Sequence, residues 1–191
     1  MPRFTPPASD AMRQKLLLAA RDEFAALGPA GSRIERIAAA ASSNKAQVFH
    51  YFGSKEGLFD ALVEQTIADT FARVPLDVDD LPGFAGRLHD DWTARPWAPR
   101  LATWHRLERA STAPLAAVVE RTTAAVAEVE HAQRAGVVPR THRPAVLLGL
   151  VLHVAAFWSD AAPEYEAVTT AVVPARRRQV VVDAVAALLG G

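Results

Sequence analysis

The chain has 191 residues, half of them apolar and 22% charged, with 21 Lys or Arg balanced by 21 Asp or Glu. This is the composition of a folded globular chain with room for one domain, or for a small head on a larger body, and it excludes intrinsic disorder. The absence of cysteine excludes a disulfide framework, a thiolate zinc site and a cysteine nucleophile.

A net charge of zero withholds the overall basic footprint of a nucleic-acid binder, so the distribution of charge matters more than its sum. Residues 1–60 carry eight Lys or Arg against six acids, whereas Asp77, Asp79, Asp80, Asp90 and Asp91 make the following stretch acidic. The opening residues lack the apolar segment of a secretion signal, and no run of about eighteen apolar residues follows. A cytoplasmic protein without a membrane partner is expected.

From Ser9 to Leu27, Met12, Leu16, Ala20, Phe24 and Leu27 form one stripe of an amphipathic helix, stopped by Gly28 and Pro29. Ser32 and Glu35 then read as a capping box opening a short helix with Ile34, Ile37, Ala38 and Ala41 inward. After the polar run Ser42-Ser43-Asn44, Asn44 and Gln47 form a second capping signature for a third helix, which ends at about Tyr51 before Gly53. Ser54 caps a fourth, with Leu58, Leu62, Ile67 and Phe71 along it toward Pro75.

Proline and glycine punctuate the rest. Pro82 opens a helix to about Ala94, Pro96 to Ala98 open one to about Ala110, and Pro114 opens a long one ending at Gly136. Pro144 starts an apolar helix over 145–158, and Pro174 a last one to Leu189. No strand-period alternation survives, so the fold class is all-α. The domains are expected to be 1–53 and 54–191, joined by the helix over 54–74.

Residues 32–59, SRIERIAAAASSNKAQVFHYFGSKEGLF, carry the chemistry. A helix only two turns long needs tertiary packing, which Val48 and Phe52 can supply from one face. The other face presents Asn44, Lys45, Ala46 and Gln47, placed as a helix-turn-helix places side chains at base edges. Gln47 can bond adenine, Lys45 can donate to guanine, and Ala46 or Phe49 can meet a thymine methyl. Gln47 can equally serve the helix cap.

In Ile34, Ile37-Ala38, the run Asn44 to Phe52 and Ser54-Lys55-Glu56-Gly57-Leu58, this stretch resembles the TetR family of bacterial transcriptional regulators, in register and without a gap. The resemblance implies a three-helix, homeodomain-like DNA-binding head and a helical C-terminal domain for ligand binding and dimerisation. It further implies a homodimeric repressor released from double-stranded operator DNA by a small effector, with no cofactor and no catalytic residues. Carried over by position, it assigns phosphate contacts to Arg33, Tyr51 and Lys55, and His50 lies beside them at the far end of the recognition helix. Where the family usually has Gly-Val in the turn, this chain has Ser42-Ser43, so a position that often needs positive φ carries a Cβ.

In the body, Trp92, Trp104 and His105 fall on segments that would line a ligand cavity, as do Trp97, His89 and His131. The six histidines show no paired ligand spacing on one helix, so no metal site is expected. The helices over 145–158 and 180–189 are apolar around much of their circumference, which by the resemblance is the homodimer interface; the first can also be a central core helix. The competing readings are a small helical enzyme and a helical adaptor without DNA binding. The run His89-Asp90-Asp91 is the one candidate acid cluster, and can equally be a solvated face.

Overall fold

A computed structural model of the chain describes residues 8–109, 113–159, 161–169 and 172–190, and among these every regular element is a helix. The helices are α1 (Ala8–Gly31), α2 (Ile34–Ala40), α3 (Lys45–Phe52), α4 (Lys55–Arg73), α5 (Leu81–Ala94), α6 (Trp97–Glu108), α7 (Ala116–Ala135), α8 (Pro144–Ala156), α9 (Pro163–Val168) and α10 (Pro174–Leu189). The expected end of the sixth helix at Ala110 lies outside the described residues. No described helix is long and apolar enough to cross a membrane.

The chain divides into two compact units, Met1–Thr66 with Arg100–Ala113, and Ile67–Pro99 with Pro114–Gly191. The boundary expected at residue 53 therefore falls inside the first unit. The reason is apolar: Leu58, Phe59 and Leu62 of α4 are buried there, with Phe59 edge-on to Phe24 of α1 at 5.1 Å. Burying such side chains is worth about 1.5–3 kcal/mol each, enough to hold the first half of α4 to the head.

In unit 1, α1 buries Leu16, Leu17, Ala20, Phe24 and Ala25. Leu27, expected in this stripe, is exposed instead. The helix breaks at Gly28 (φ 66°, ψ 171°), whose bare Cα is covered by the indole of Trp104. Arg109 closes the unit with two hydrogen bonds to Asp60, and Glu108 accepts from the Ala30 N–H.

In unit 2, α5 packs on α8 and α10, and α7 on α8. Their shared core includes Leu81, Phe84, Leu88, Val129, Leu147, Val151, Val181 and Val185. Asp80 caps α5 by accepting from the Gly83 N–H at 2.8 Å. The amide of Gln133 ties down the loop after α7, donating to the carbonyls of Pro139 and His142.

The His89-Asp90-Asp91 run divides three ways. His89 is buried, Asp90 pairs with Arg178 at 2.8 Å, and Asp91 is buried beneath Arg73 and Arg95 at 2.8 and 2.6 Å. Asp91 is thus a structural anion rather than part of a solvated face. Helix α9 was not anticipated from sequence, since its six residues carry no apolar stripe.

Candidate nucleic-acid interface

The geometry of the site begins at the start of α2, and there the capping box expected from Ser32 and Glu35 does not form. Ser32 is buried, and its hydroxyl donates to the carbonyl of Gly28 at 2.5 Å. The residue flanking the helix is Arg33, and Glu23 of α1 accepts its backbone N–H at 3.0 Å while also holding the Arg36 guanidinium. These donors hold the Glu23 carboxyl below its ordinary pKa against the raising effect of its own desolvation. A carboxylate from a neighbouring helix thus does the work expected of Glu35 and leaves Glu35 free to face outward.

The turn between α2 and α3 is a Schellman motif. The Ser43 N–H donates to the Ala38 carbonyl at 2.8 Å and the Ser42 N–H to that of Ala39 at 3.0 Å, with Ser42 left-handed at φ 53°. Among the described residues Ser42 is the one non-glycine with positive φ. The turn therefore keeps its geometry with a serine where glycine is cheapest. Ser43 hydrogen-bonds outward to the Gln47 side-chain oxygen at 2.7 Å.

Asn44 caps α3 as the sequence predicts, its side-chain oxygen accepting from the Gln47 N–H at 3.0 Å. The Gln47 side chain does not return the bond, because Ser43 holds it. Val48 is completely buried and anchors the helix, while Phe52 is only half-buried, with the Arg13 guanidinium 5.3 Å from its ring centre. At the far end Gly53 (φ 75°) ends α3 and Ser54 caps α4 through the Gly57 N–H at 2.9 Å. Any Cβ at Gly57 would lie 2.2 Å from the Phe52 carbonyl oxygen, so glycine sets how closely α4 approaches α3.

This scaffold leaves Asn44, Lys45, Ala46, Gln47, Phe49 and His50 exposed on one short helix, with Tyr51 half-buried beside His50. Arg33 is exposed at the start of α2. Lys55 reaches back from α4 to the Ser32 carbonyl at 3.4 Å, one residue before Arg33 in the chain. Three further contributors had no signal in the sequence. Glu35 pairs with Lys45 at 2.7 Å, Ser43 orients Gln47, and Arg13 lies over Phe52.

Trp104 and His105 belong to unit 1, on Gly28 and beside Phe59, whereas Trp92 packs against the core of unit 2. The cavities of unit 2 include three that open among its described residues. One of about 70 Å³ lies among Ile67, Phe71, Phe84, Arg121, Leu148 and Leu152. A second, of about 370 Å³, lies among α8, α9 and α10, and a third, of about 620 Å³, runs along α7 past His131.

A short helix presented by a tight turn, with its N-terminal polar side chains exposed and cations at its borders, defines a helix-turn-helix DNA-binding protein. Comparison with known families agrees. Residues 16–62 match the model for bacterial regulatory proteins of the tetR family, and residues 80–186 match the tetracyclin repressor-like C-terminal domain. The chain is 37% identical over 158 residues, 81% of each chain, to the HTH-type transcriptional repressor SCO4008 of Streptomyces coelicolor. It is 39% identical over 75 residues, 38% of this chain and 35% of the relative, to the repressor NicS of Pseudomonas putida. Among solved structures, SCO4942 of Streptomyces coelicolor superposes with a TM-score of 0.80 at 33% identity, over 94% of this chain and 98% of that one. Salmonella enterica GusR shares the fold at 18% identity and a TM-score of 0.67, over the full length of both chains. The chain belongs to the tetR family of bacterial transcriptional regulators.

Proposed function

We propose that the chain acts as a homodimeric repressor whose two α3 helices enter successive major grooves of a palindromic operator, about 34–36 Å apart for a one-turn spacing. The observation that carries this reading is the exposed N-terminal turn of α3, capped by Asn44 and anchored by Val48. Lys45, Gln47 and Asn44 read base edges there, with Ala46 and Phe49 available to thymine methyls. Arg33, His50, Tyr51 and Lys55 hold phosphates and set the register. The division of labour keeps 1–53 as the reading part and 54–191 as the responding part.

The dimer forms through α8 and α10. Val146, Leu150 and Phe157 at α8 and Val180 on α10 are exposed large apolar side chains that a partner subunit can cover. Two-fold pairing of that surface matches the symmetry of a palindrome. A small effector enters the body and favours a subunit arrangement that binds operator less well, by the difference in its affinity for the two states. The effector reading keeps Trp92, Trp104 and His105 as candidate contacts, together with the cavities of unit 2. Such a protein works in the cytoplasm beside the chromosome.

Duplex binding measured against salt and sequence tests the assignment. Tyr51→Ala and Lys55→Ala should weaken binding to every duplex about equally, with a shallower salt dependence for the lysine variant. Gln47→Ala should change which sequences are preferred. An equal loss on all sequences for Gln47→Ala would remove it from the reading role.

A further inference from the structure

The Gln47 side chain is not loose on the exposed face of α3. Its oxygen accepts from the Ser43 hydroxyl at 2.7 Å, while the Asn44 side chain accepts the Gln47 backbone N–H at 3.0 Å. Ser43 is itself fixed, being half-buried with its N–H on the Ala38 carbonyl at 2.8 Å. Among the described residues no protein group accepts from Gln47 Nε2, which belongs to an exposed side chain.

A glutamine amide has two unlike ends, an oxygen that accepts and a nitrogen that donates twice. Bidentate pairing with adenine uses both, the oxygen receiving from N6 and the nitrogen donating to N7. Two influences turn the oxygen back toward Ser43. One is the hydroxyl donor itself, and the other is the positive N-terminal end of α3, which attracts the negative end of the amide dipole. The group left to face a major groove is the NH2, which only donates. Guanine offers it two adjacent acceptors, N7 and O6, whereas adenine sets an amine beside its single acceptor.

We infer that Ser43 is a specificity-determining positioning residue, which holds Gln47 so that it reads guanine in preference to adenine. The inference rests on the proposed base-reading role of α3, and adds to it the base selected and the residue that selects it. Ser43 acts through Gln47 and makes no base contact of its own. Fixing the long side chain in advance also reduces the freedom that it loses on binding.

The test is selection of bound duplexes from a random DNA pool by the full-length protein, run in parallel for the wild type, Gln47→Ala, Ser43→Ala and the variant carrying both changes. The position read by Gln47 is the one whose preference Gln47→Ala erases. There the wild type should enrich a G·C pair over an A·T pair. Ser43→Ala frees the oxygen and should shift that ratio toward A·T about tenfold, the scale of one bidentate base contact, with the rest of the consensus unchanged. In the Gln47→Ala background Ser43→Ala should change nothing. Alanine keeps the backbone N–H that closes the turn; should the variant still fold poorly, Ser43→Thr and Ser43→Val, alike in shape, compare the hydroxyl alone. Threonine should keep the G·C preference and valine should lose it.

An A·T pair preferred by the wild type at that position overturns the inference, as does a Ser43→Ala consensus identical to that of the wild type. So does a Gln47→Ala consensus that keeps every preference, or an effect of Ser43→Ala that persists without Gln47. Each of these outcomes still yields a consensus and leaves the base-reading role of α3 in place. A wild-type protein that enriches no sequence overturns that role and this inference together.

Discussion

The ammonium of Lys45 on α3 lies 2.7 Å from the carboxylate of Glu35 on α2, so the lysine best placed to meet a guanine is held by an acid on the preceding helix. Both side chains are more than half exposed, so the pair is screened and readily exchanged. Hydrogen bonding from Lys45 holds the Glu35 carboxyl below its ordinary value, and the acid stays charged throughout any practical binding assay. Binding DNA must break this pair or turn Glu35 onto a cytosine amine.

Glu35→Gln should therefore bind random-sequence duplex severalfold more tightly at low salt, with the salt dependence steepened by up to about one counterion. Gel-shift titrations at several salt concentrations measure both. Unchanged affinity and slope would mean that Lys45 stays with Glu35 in the complex.

Ser42 holds a left-handed conformation that costs a residue with a Cβ about 1–2 kcal/mol relative to glycine. Ser42→Gly should stabilise the protein by about 1 kcal/mol, the gain being offset in part by the greater freedom of glycine when unfolded. Urea unfolding reads this directly. A loss of stability would show that the Ser42 side chain contributes more than its backbone strain removes.

The outline of the fold was legible because its punctuation is local. Gly28 and Pro29 break α1, Asn44 caps α3, Ser54 caps α4, and Gly136 ends α7 with φ 79°, each a property of a residue and its near neighbours. The exposed run from Asn44 to Gln47 was legible for the same reason, since these residues form the cap and first turn of one short helix. What sequence did not disclose depends on side chains that meet from distant positions. Glu23 takes over the cap expected of Glu35, Trp104 covers Gly28, and Arg73 reaches Asp91 across eighteen residues. The exposure of Leu27 follows from the kink beside it, which a regular 3.6-residue pattern cannot anticipate.

Asp91 is the buried anion of unit 2, its side chain 5% exposed and shared by two arginines that are each about one-third exposed. Asp91→Asn keeps the shape, removes the charge and leaves both guanidinium groups to solvent on one side only. It should cost about 1–3 kcal/mol, below the loss seen when a wholly buried pair is broken. Denaturant unfolding of the variant measures it, and a change under 0.5 kcal/mol would show that the arginines find other partners.

Burial pushes both His89 and His105 below their ordinary value, against the opposing pull of Asp90 and Asp60. As pH falls through about 6.5 the unfolded chain takes up protons that these native histidines refuse, so the histidine contribution to stability is lost on acidification and is complete again above that point. The urea midpoint should fall between pH 8 and pH 6, and His105→Phe, which keeps a ring against Phe59, should flatten part of the fall. A midpoint that rises on acidification would contradict the burial of these rings.

The central claim, that two exposed α3 helices read a symmetric operator, is tested most directly by selecting bound duplexes from a random DNA pool with the purified protein and sequencing the survivors. The account predicts a palindromic consensus with half-sites one helical turn apart or a multiple of it. Retention of duplexes without sequence enrichment at low salt would contradict it.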